Sequence, residues 1–143
     1  MIYTYFNHAK SVQRLLYEYE KYGSPIVACD FDDILFDCHS LGHTFDQMSD
    51  LLLECNKLGL KFVIFTAPQK QRYSFIDKHV KSLGIHVDAI NESIITPHGE
   101  DTRKIYYNIF LDDRAGLSKA YEILSDVITI IKLNKLDESR KYK

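Results

Sequence analysis

Two short apolar runs in this chain each end on a cluster of carboxylates, and that repetition narrows the folds open to it. Pro25-Ile26-Val27-Ala28-Cys29 runs into Asp30-Phe31-Asp32-Asp33, and Ile105 to Leu111, with several apolar members, runs into Asp112-Asp113-Arg114. A short β-branched stretch that stops on Asp-x-Asp reads as a buried parallel strand, and its carboxyl end delivers charge to the crevice where open α/β sheets bind ligands. Two such ends side by side would make a site for a hard divalent cation.

The rest of the pattern alternates in the same way. Val12, Leu15, Leu16 and Tyr19 fall at helical spacing within residues 9–22, and Gly23-Ser24-Pro25 stops that helix. Ile26 to Cys29 is a first strand. Phe45 to Leu58 sets Met48, Leu51, Leu52 and Cys55 on one helical face before Gly59, and Lys61 to Phe65 is a second strand ended by Thr66-Ala67-Pro68. Residues 69–83 repeat Tyr73, Ile76, Val80 and Leu83 at helical spacing. The spacing then predicts a third strand over Ile85 to Ile90, a loop from Asn91 to Arg103, a fourth strand over Ile105 to Leu111, a helix over Gly116 to Ser125 and a last strand over Val127 to Ile131.

Strands alternating with helices of this length imply right-handed crossovers and a mainly parallel sheet, an α/β three-layer sandwich of Rossmann-like type. At 143 residues the expectation is a single domain, 1–143, with residues 1–24 as an N-terminal helical extension and 132–143 as a basic, solvated C-terminal tail carrying Lys132, Lys135, Arg140, Lys141 and Lys143. A net charge of -2 exerts no global pull on nucleic acid or anionic membrane. No apolar run approaches the length of a bilayer span. Cys29, Cys38 and Cys55 are an odd set without CxxC spacing, which fits reduced thiols in a cytoplasmic protein.

In a parallel sheet, Asp30, Asp32, Thr66, Asp112 and Asp113 all fall at one edge. If strands one, two and four are neighbours, these residues meet around one pocket suited to phosphoryl transfer: carboxylates hold Mg²⁺, and the cation neutralises a phosphate that the same acids would otherwise repel. A hydroxyl and an ammonium would complete the clamp.

The order of residues resembles that of the haloacid dehalogenase (HAD) superfamily of phosphohydrolases over roughly residues 25–125. Asp30 to Leu35 matches the first motif, Phe62 to Thr66 the second, Lys104 the third and Leu111-Asp112-Asp113 the fourth. The resemblance implies that Asp30 is a nucleophile forming an aspartyl-phosphate, and that Asp32 is acid to the leaving group and then base to the hydrolytic water. It implies that Thr66 and Lys104 hold phosphoryl oxygens. Mg²⁺ would be held by Asp30, Asp112 and the backbone carbonyl of Asp32, with Asp113 acting through a bound water or by positioning its neighbours.

One departure stands in the first motif, where Asp33-Ile34 replaces the Gly-Thr or Gly-Val of many members. Asp101 to Lys104 followed by Leu111 to Arg114 also resembles the phosphatase domains of polynucleotide kinase-phosphatases and small phage and bacterial relatives. Asp37 to Thr44 is too short for an inserted cap, and residues 67–103 are consumed by one helix, one strand and one loop. The resemblance then implies an open site and a bulky substrate, or a partner subunit that closes it. A nucleotide or nucleic-acid phosphate is the leading expectation.

His39 and His43, near Cys38 and Asp37, offer no second pair of ligands for tetrahedral zinc, so a substrate contact is the sharper expectation for them. Tyr3, Tyr5, Phe6, Tyr17, Tyr19 and Tyr22 enrich the start of the chain in aromatics, as core packing or as a platform for bases. Two alternatives from other classes are a phosphoacceptor signalling domain and a HAD-fold binding protein without turnover. In the signalling domains, however, the acidic pair comes first, whereas here it closes the series.

Overall fold

Four strands, β1 (Ile26–Cys29), β2 (Lys61–Ile64), β3 (Ala89–Ile90) and β4 (Ile109–Leu111), form one all-parallel sheet in the order β3-β2-β1-β4. This is the arrangement in a computed structural model that describes residues 6–100 and 102–142. Every residue of β1 is buried, as a central strand with cover on both faces requires. The α/β, Rossmann-like layered fold expected from the alternation is the one observed.

One face of the sheet is helical. Val27, Cys29, Phe62, Ile64, Ile109 and Leu111 point into a single core with Val12 and Leu15 of α1 (His8–Tyr22), Leu51, Leu52 and Cys55 of α2 (Asp46–Lys57), Ile76 and Val80 of α3 (Tyr73–Ser82), and Leu124, Val127 and Ile128 of α4 (Leu117–Lys141). Burial of each such aliphatic side chain contributes about 1.5–3 kcal/mol, and it is this packing that holds helices of moderate length in place. Helix α1 also has local closure. The Asn7 side chain accepts from the Lys10 N–H at its start, and Gly23, at φ 80°, donates to Tyr19 O at its end.

The opposite face carries Ile26 and Val63. Their cover is the segment between β3 and β4, through Ile94, Ile105, Tyr106 and Tyr107. Asn108 pins this segment to the strand it crosses, accepting from the Ile26 N–H through Oδ1 (2.7 Å) and donating to Glu18 (2.9 Å).

Several boundaries differ from those read off the sequence. Strand three shrinks to Ala89–Ile90, although Asp88 N–H still donates to Phe62 O and Asn91 N–H to Ile64 O. Strand four begins only at Ile109, because residues 105–107 are spent on covering the sheet. The helix after Thr66 is a short 3₁₀ turn, Lys70–Arg72, followed by α3.

The largest correction lies at the C-terminal end, where the expected helix over Gly116–Ser125, strand over Val127–Ile131 and solvated tail are one 25-residue helix. Leu124, Val127, Ile128 and Ile131 are its buried positions, spaced at i, i+3, i+4 and i+7, which is helical periodicity. A compact β-branched run satisfies strand and helix patterns alike, and no turn residue separates Ser125 from Val127 to break the helix. From Lys132 to Lys141 the helix is exposed along its whole surface, touching the body through the Lys132–Glu54 ion pair at 2.8 Å. The basic residues expected of a tail are therefore helical, except Lys143, which lies outside the described residues, as do Tyr3, Tyr5 and Asp101.

Candidate active site

The register of the sheet brings the acids together. Cys29 lies opposite Ile64 on one side and Leu111 on the other, so Asp30, Phe65 and Asp112 leave the sheet at the same level. The ladder continues past the named strands: Phe65 N–H donates to Cys29 O and Asp30 N–H to Leu111 O, both at 2.9 Å. These bonds fix the backbone from which Asp30 and Asp112 project.

Asp30, Asp112 and Asp113 present carboxylate oxygens that all lie within 4.8 Å of one another. They line a cleft of about 610 Å³ together with Asp32, Asp33, Cys38, His39, Thr66 and Arg114. A neighbouring cavity of about 480 Å³ shares Asp33 and adds Glu122, but is otherwise walled by neutral residues such as Phe45, Met48, Leu117 and Tyr121; the three-carboxylate cluster belongs to the acidic cleft.

Burial raises the Asp30 carboxyl above the ordinary carboxylate value, opposed by the Thr66 hydroxyl and by the Phe31 N–H, which donates to Oδ1 at 2.7 Å. The charges of Asp112 and Asp113 push it further up. Thr66 Oγ1 is itself buried and completes no hydrogen bond of good geometry, although the hydroxyl lies close enough to Asp30 to favour its ionised form. A buried oxygen without a full partner beside three crowded carboxylates is a donor set for a hard cation and an acceptor-rich ligand.

Asp32 stands apart from this cluster. Arg72 grips its carboxylate with both terminal nitrogens, Nη1 to Oδ2 at 3.1 Å and Nη2 to Oδ1 at 3.3 Å. The same guanidinium lies 5.9 Å from the ring centroids of both Phe31 and Phe75. The carboxylate expected to serve as acid and base is thus engaged by a cation, while the backbone carbonyl, the Asp32 group expected to hold the metal, takes no part in that pairing.

Lys104 also departs from expectation. Its ammonium sits over the Tyr107 ring, 5.3 Å from the centroid, and it lines a separate groove with Thr96, His98 and Thr102. Lys104 lies far enough along the 91–108 cover that the acidic cleft is lined without it. The cations that do reach the cleft are Arg114, on its wall, and Arg72, through Asp32.

Asp33 has φ 60°, in the left-handed region. The missing glycine of the first motif falls at a position that requires this conformation, and aspartate tolerates it better than most residues. Asn91, which belongs to no motif or periodic run, takes the same conformation at φ 54° and clamps Thr66 from it. Its Oδ1 accepts from Thr66 N–H at 2.8 Å, and its Nδ2 donates to Thr66 O at 2.8 Å and to Tyr73 Oη at 2.7 Å. Replacing Asn91 with Ala removes three partly buried hydrogen bonds and leaves Thr66 N–H without its partner. A destabilisation of about 1–3 kcal/mol is expected, read as a lower urea midpoint at unchanged m-value.

No family model matches the chain, and no curated protein matches it. Among solved structures, a conserved protein from Bacteroides thetaiotaomicron superposes with a TM-score of 0.59 at 16% identity, over 72% of this chain and 91% of that one. At that identity the likeness is one of fold.

Among the described residues, no helix is long and apolar enough to cross a membrane. Cys29, Cys38 and Cys55 are all free thiols, the first and last buried.

Proposed function

We propose that the chain is a Mg²⁺-dependent phosphomonoesterase of HAD type, working through an aspartyl-phosphate on Asp30. The observation that carries this reading is the convergence of Asp30, Asp112 and Asp113 at the carboxyl edge of a parallel sheet, with the Thr66 hydroxyl buried beside Asp30. The oxygen-only donor set fits a hard cation of the Mg²⁺ class, with Asp30, Asp112 and the Asp32 carbonyl as ligands and Asp113 in support. When bound, Mg²⁺ neutralises charge on the phosphoryl group and the acids around it.

The residues divide the work. An Asp30 carboxylate oxygen attacks phosphorus as the bond to the leaving oxygen breaks, and Asp32 supplies the proton that oxygen takes up. Asp32 then accepts a proton from water as that water attacks the same phosphorus, releasing phosphate and restoring Asp30. Thr66 Oγ1 donates to a phosphoryl oxygen. For Asp32 to serve as acid, Arg72 must let go of it, and an incoming phosphate is the natural competitor for a bidentate guanidinium. Arg72 then takes over the phosphate contact that the resemblance assigns to Lys104.

The substrate class we infer is a nucleotide or a nucleic-acid phosphate. Phe65 and Phe110, on the cleft wall, stand 5.5 Å apart between ring centroids, and Tyr107 continues the row 5.3 Å from Phe110 with Lys104 above it. Such a row offers faces for base stacking and a cation for the next phosphate. The test is a phosphatase screen over p-nitrophenyl phosphate, mononucleotides, sugar phosphates and 3′- or 5′-phosphorylated oligonucleotides with Mg²⁺, using Asp30→Asn as control. Turnover of the nucleic-acid members, lost in Asp30→Asn, is expected. Hydrolysis confined to sugar phosphates would overturn the substrate class, and no Mg²⁺-dependent hydrolysis anywhere would overturn the activity.

A further inference from the structure

Asp33, Cys38 and His39 bring one oxygen, one sulfur and one nitrogen donor to within 4.8 Å of one another on the wall of the acidic cleft. The Cys38 thiol donates to Asp33 Oδ1 at 3.4 Å, and His39 Nε2 lies 3.8 Å from Asp33 Oδ2. A tetrahedral ion with bonds of about 2.0–2.3 Å to O, N and S holds such donors roughly 3.3–3.7 Å apart; Asp33 approaches Cys38 through Oδ1 and His39 through Oδ2, and side-chain shifts of a few tenths of an ångström draw the three donors to that spacing. The turn that sets them is built from the backbone: Asp33 N–H and Cys38 N–H both donate to Phe36 O, at 2.9 and 3.0 Å. Beyond it, the Asp37 carboxylate gathers the N–H groups of Leu41, Gly42 and His43.

From this geometry we propose a second metal site, Asp33–Cys38–His39, that takes a thiophilic divalent cation of the Zn²⁺ class with its fourth position open to the cleft. The donor set separates it from the oxygen-only cluster at Asp30, because a thiolate and an imidazole select Zn²⁺ or Co²⁺ over Mg²⁺. The Cys38 Sγ–H bond breaks as the sulfur–metal bond forms, and the proton leaves to solvent, so occupancy rises with pH. The inference rests on the 33–39 turn alone and stands independently of phosphoryl transfer.

Co²⁺ is the probe, titrated into the full-length, reduced, chelator-treated protein in the presence of excess Mg²⁺. One equivalent of Co²⁺ is expected to give a thiolate-to-cobalt charge-transfer absorption that Mg²⁺ does not suppress and one equivalent of Zn²⁺ displaces. Cys38→Ser should abolish the band, His39→Ala should weaken Co²⁺ binding by at least about tenfold, and Asp30→Asn should leave both unchanged. His39 is exposed, so its replacement leaves the fold intact and separates a ligand from a packing residue. Absence of the band in the wild-type protein, its survival in Cys38→Ser, or undiminished affinity in His39→Ala would overturn the site.

Discussion

Asp30→Asn is expected to abolish phosphatase turnover, by on the order of 10³-fold or more, while making the metal-free protein more stable. The loss of activity follows if Asp30 is the nucleophile proposed above, because deleting the nucleophile in covalent catalysis costs several orders of magnitude. The gain in stability follows from the direction of the Asp30 shift. Burial first, then the Asp112 and Asp113 charges, raise this carboxyl above its ordinary value of 3.8 in the folded protein.

Between 3.8 and the raised folded value, the native state binds more protons than the unfolded state, so stability falls as pH rises through that window. Above it, the ionised Asp30 is a standing cost, and the neutral amide removes it. Thermal unfolding at neutral pH with chelator should therefore give a higher midpoint for Asp30→Asn than for the wild type, with the difference closing as pH falls toward 3.8. Adding Mg²⁺ should stabilise the wild type more than the variant, because a cation that binds only the folded state adds to its stability by mass action. An Asp30→Asn protein less stable than wild type under chelation would show that the carboxylate is satisfied without a cation.

Asp112→Asn should act differently, through the metal and not through bond making. Changes in groups that merely orient metal ligands cost about 10–100-fold in affinity or activity, so loss of a direct carboxylate is expected to raise the half-saturating Mg²⁺ concentration by at least about 100-fold. Turnover should recover in part at high Mg²⁺, which Asp30→Asn cannot do. Asp113, exposed at the edge of the cluster, should show a smaller shift when changed to Asn. The measurement is the Mg²⁺ dependence of kcat/KM for each variant, and an unchanged dependence in Asp112→Asn would remove this residue from the ligand set.

The part of the site that was legible in the sequence is the part carried by short-range pattern. Asp30, Thr66 and Asp112 each follow an apolar run, and parallel pairing with Cys29, Ile64 and Leu111 in register brings them to one edge. Residues that act across long sequence separations left no such trace. Arg72 reaches Asp32 across 40 positions and Asn91 reaches Thr66 across 25, and neither sits in a run that distinguishes it from any surface arginine or loop asparagine.

The motif order points to Lys104, but the 105–107 stretch is spent on covering Ile26 and Val63, and that carries Lys104 onto Tyr107. In α4, the apolar run Val127 to Ile131 has the composition of a last strand, but Leu124 and Ile131 extend the same buried stripe over two helical turns. The convergence of Cys38 and His39 on Asp33 leaves no trace in the spacing, because it depends on the backbone conformation of Asp33. Its left-handed backbone turns the chain back so that residues five and six positions on face it.

The proposed mechanism passes through phosphorylation of Asp30. It is tested most directly by mixing the wild-type protein with Mg²⁺ and a turned-over phosphomonoester, quenching in acid during the steady state, and mapping the modified peptide by mass. The expected result is a mass increment of one phosphoryl group on the peptide containing Asp30, sensitive to hydroxylamine and absent from Asp30→Asn. Rapid turnover without any acid-stable phosphoryl group on Asp30, together with full activity in Asp30→Asn, would contradict it.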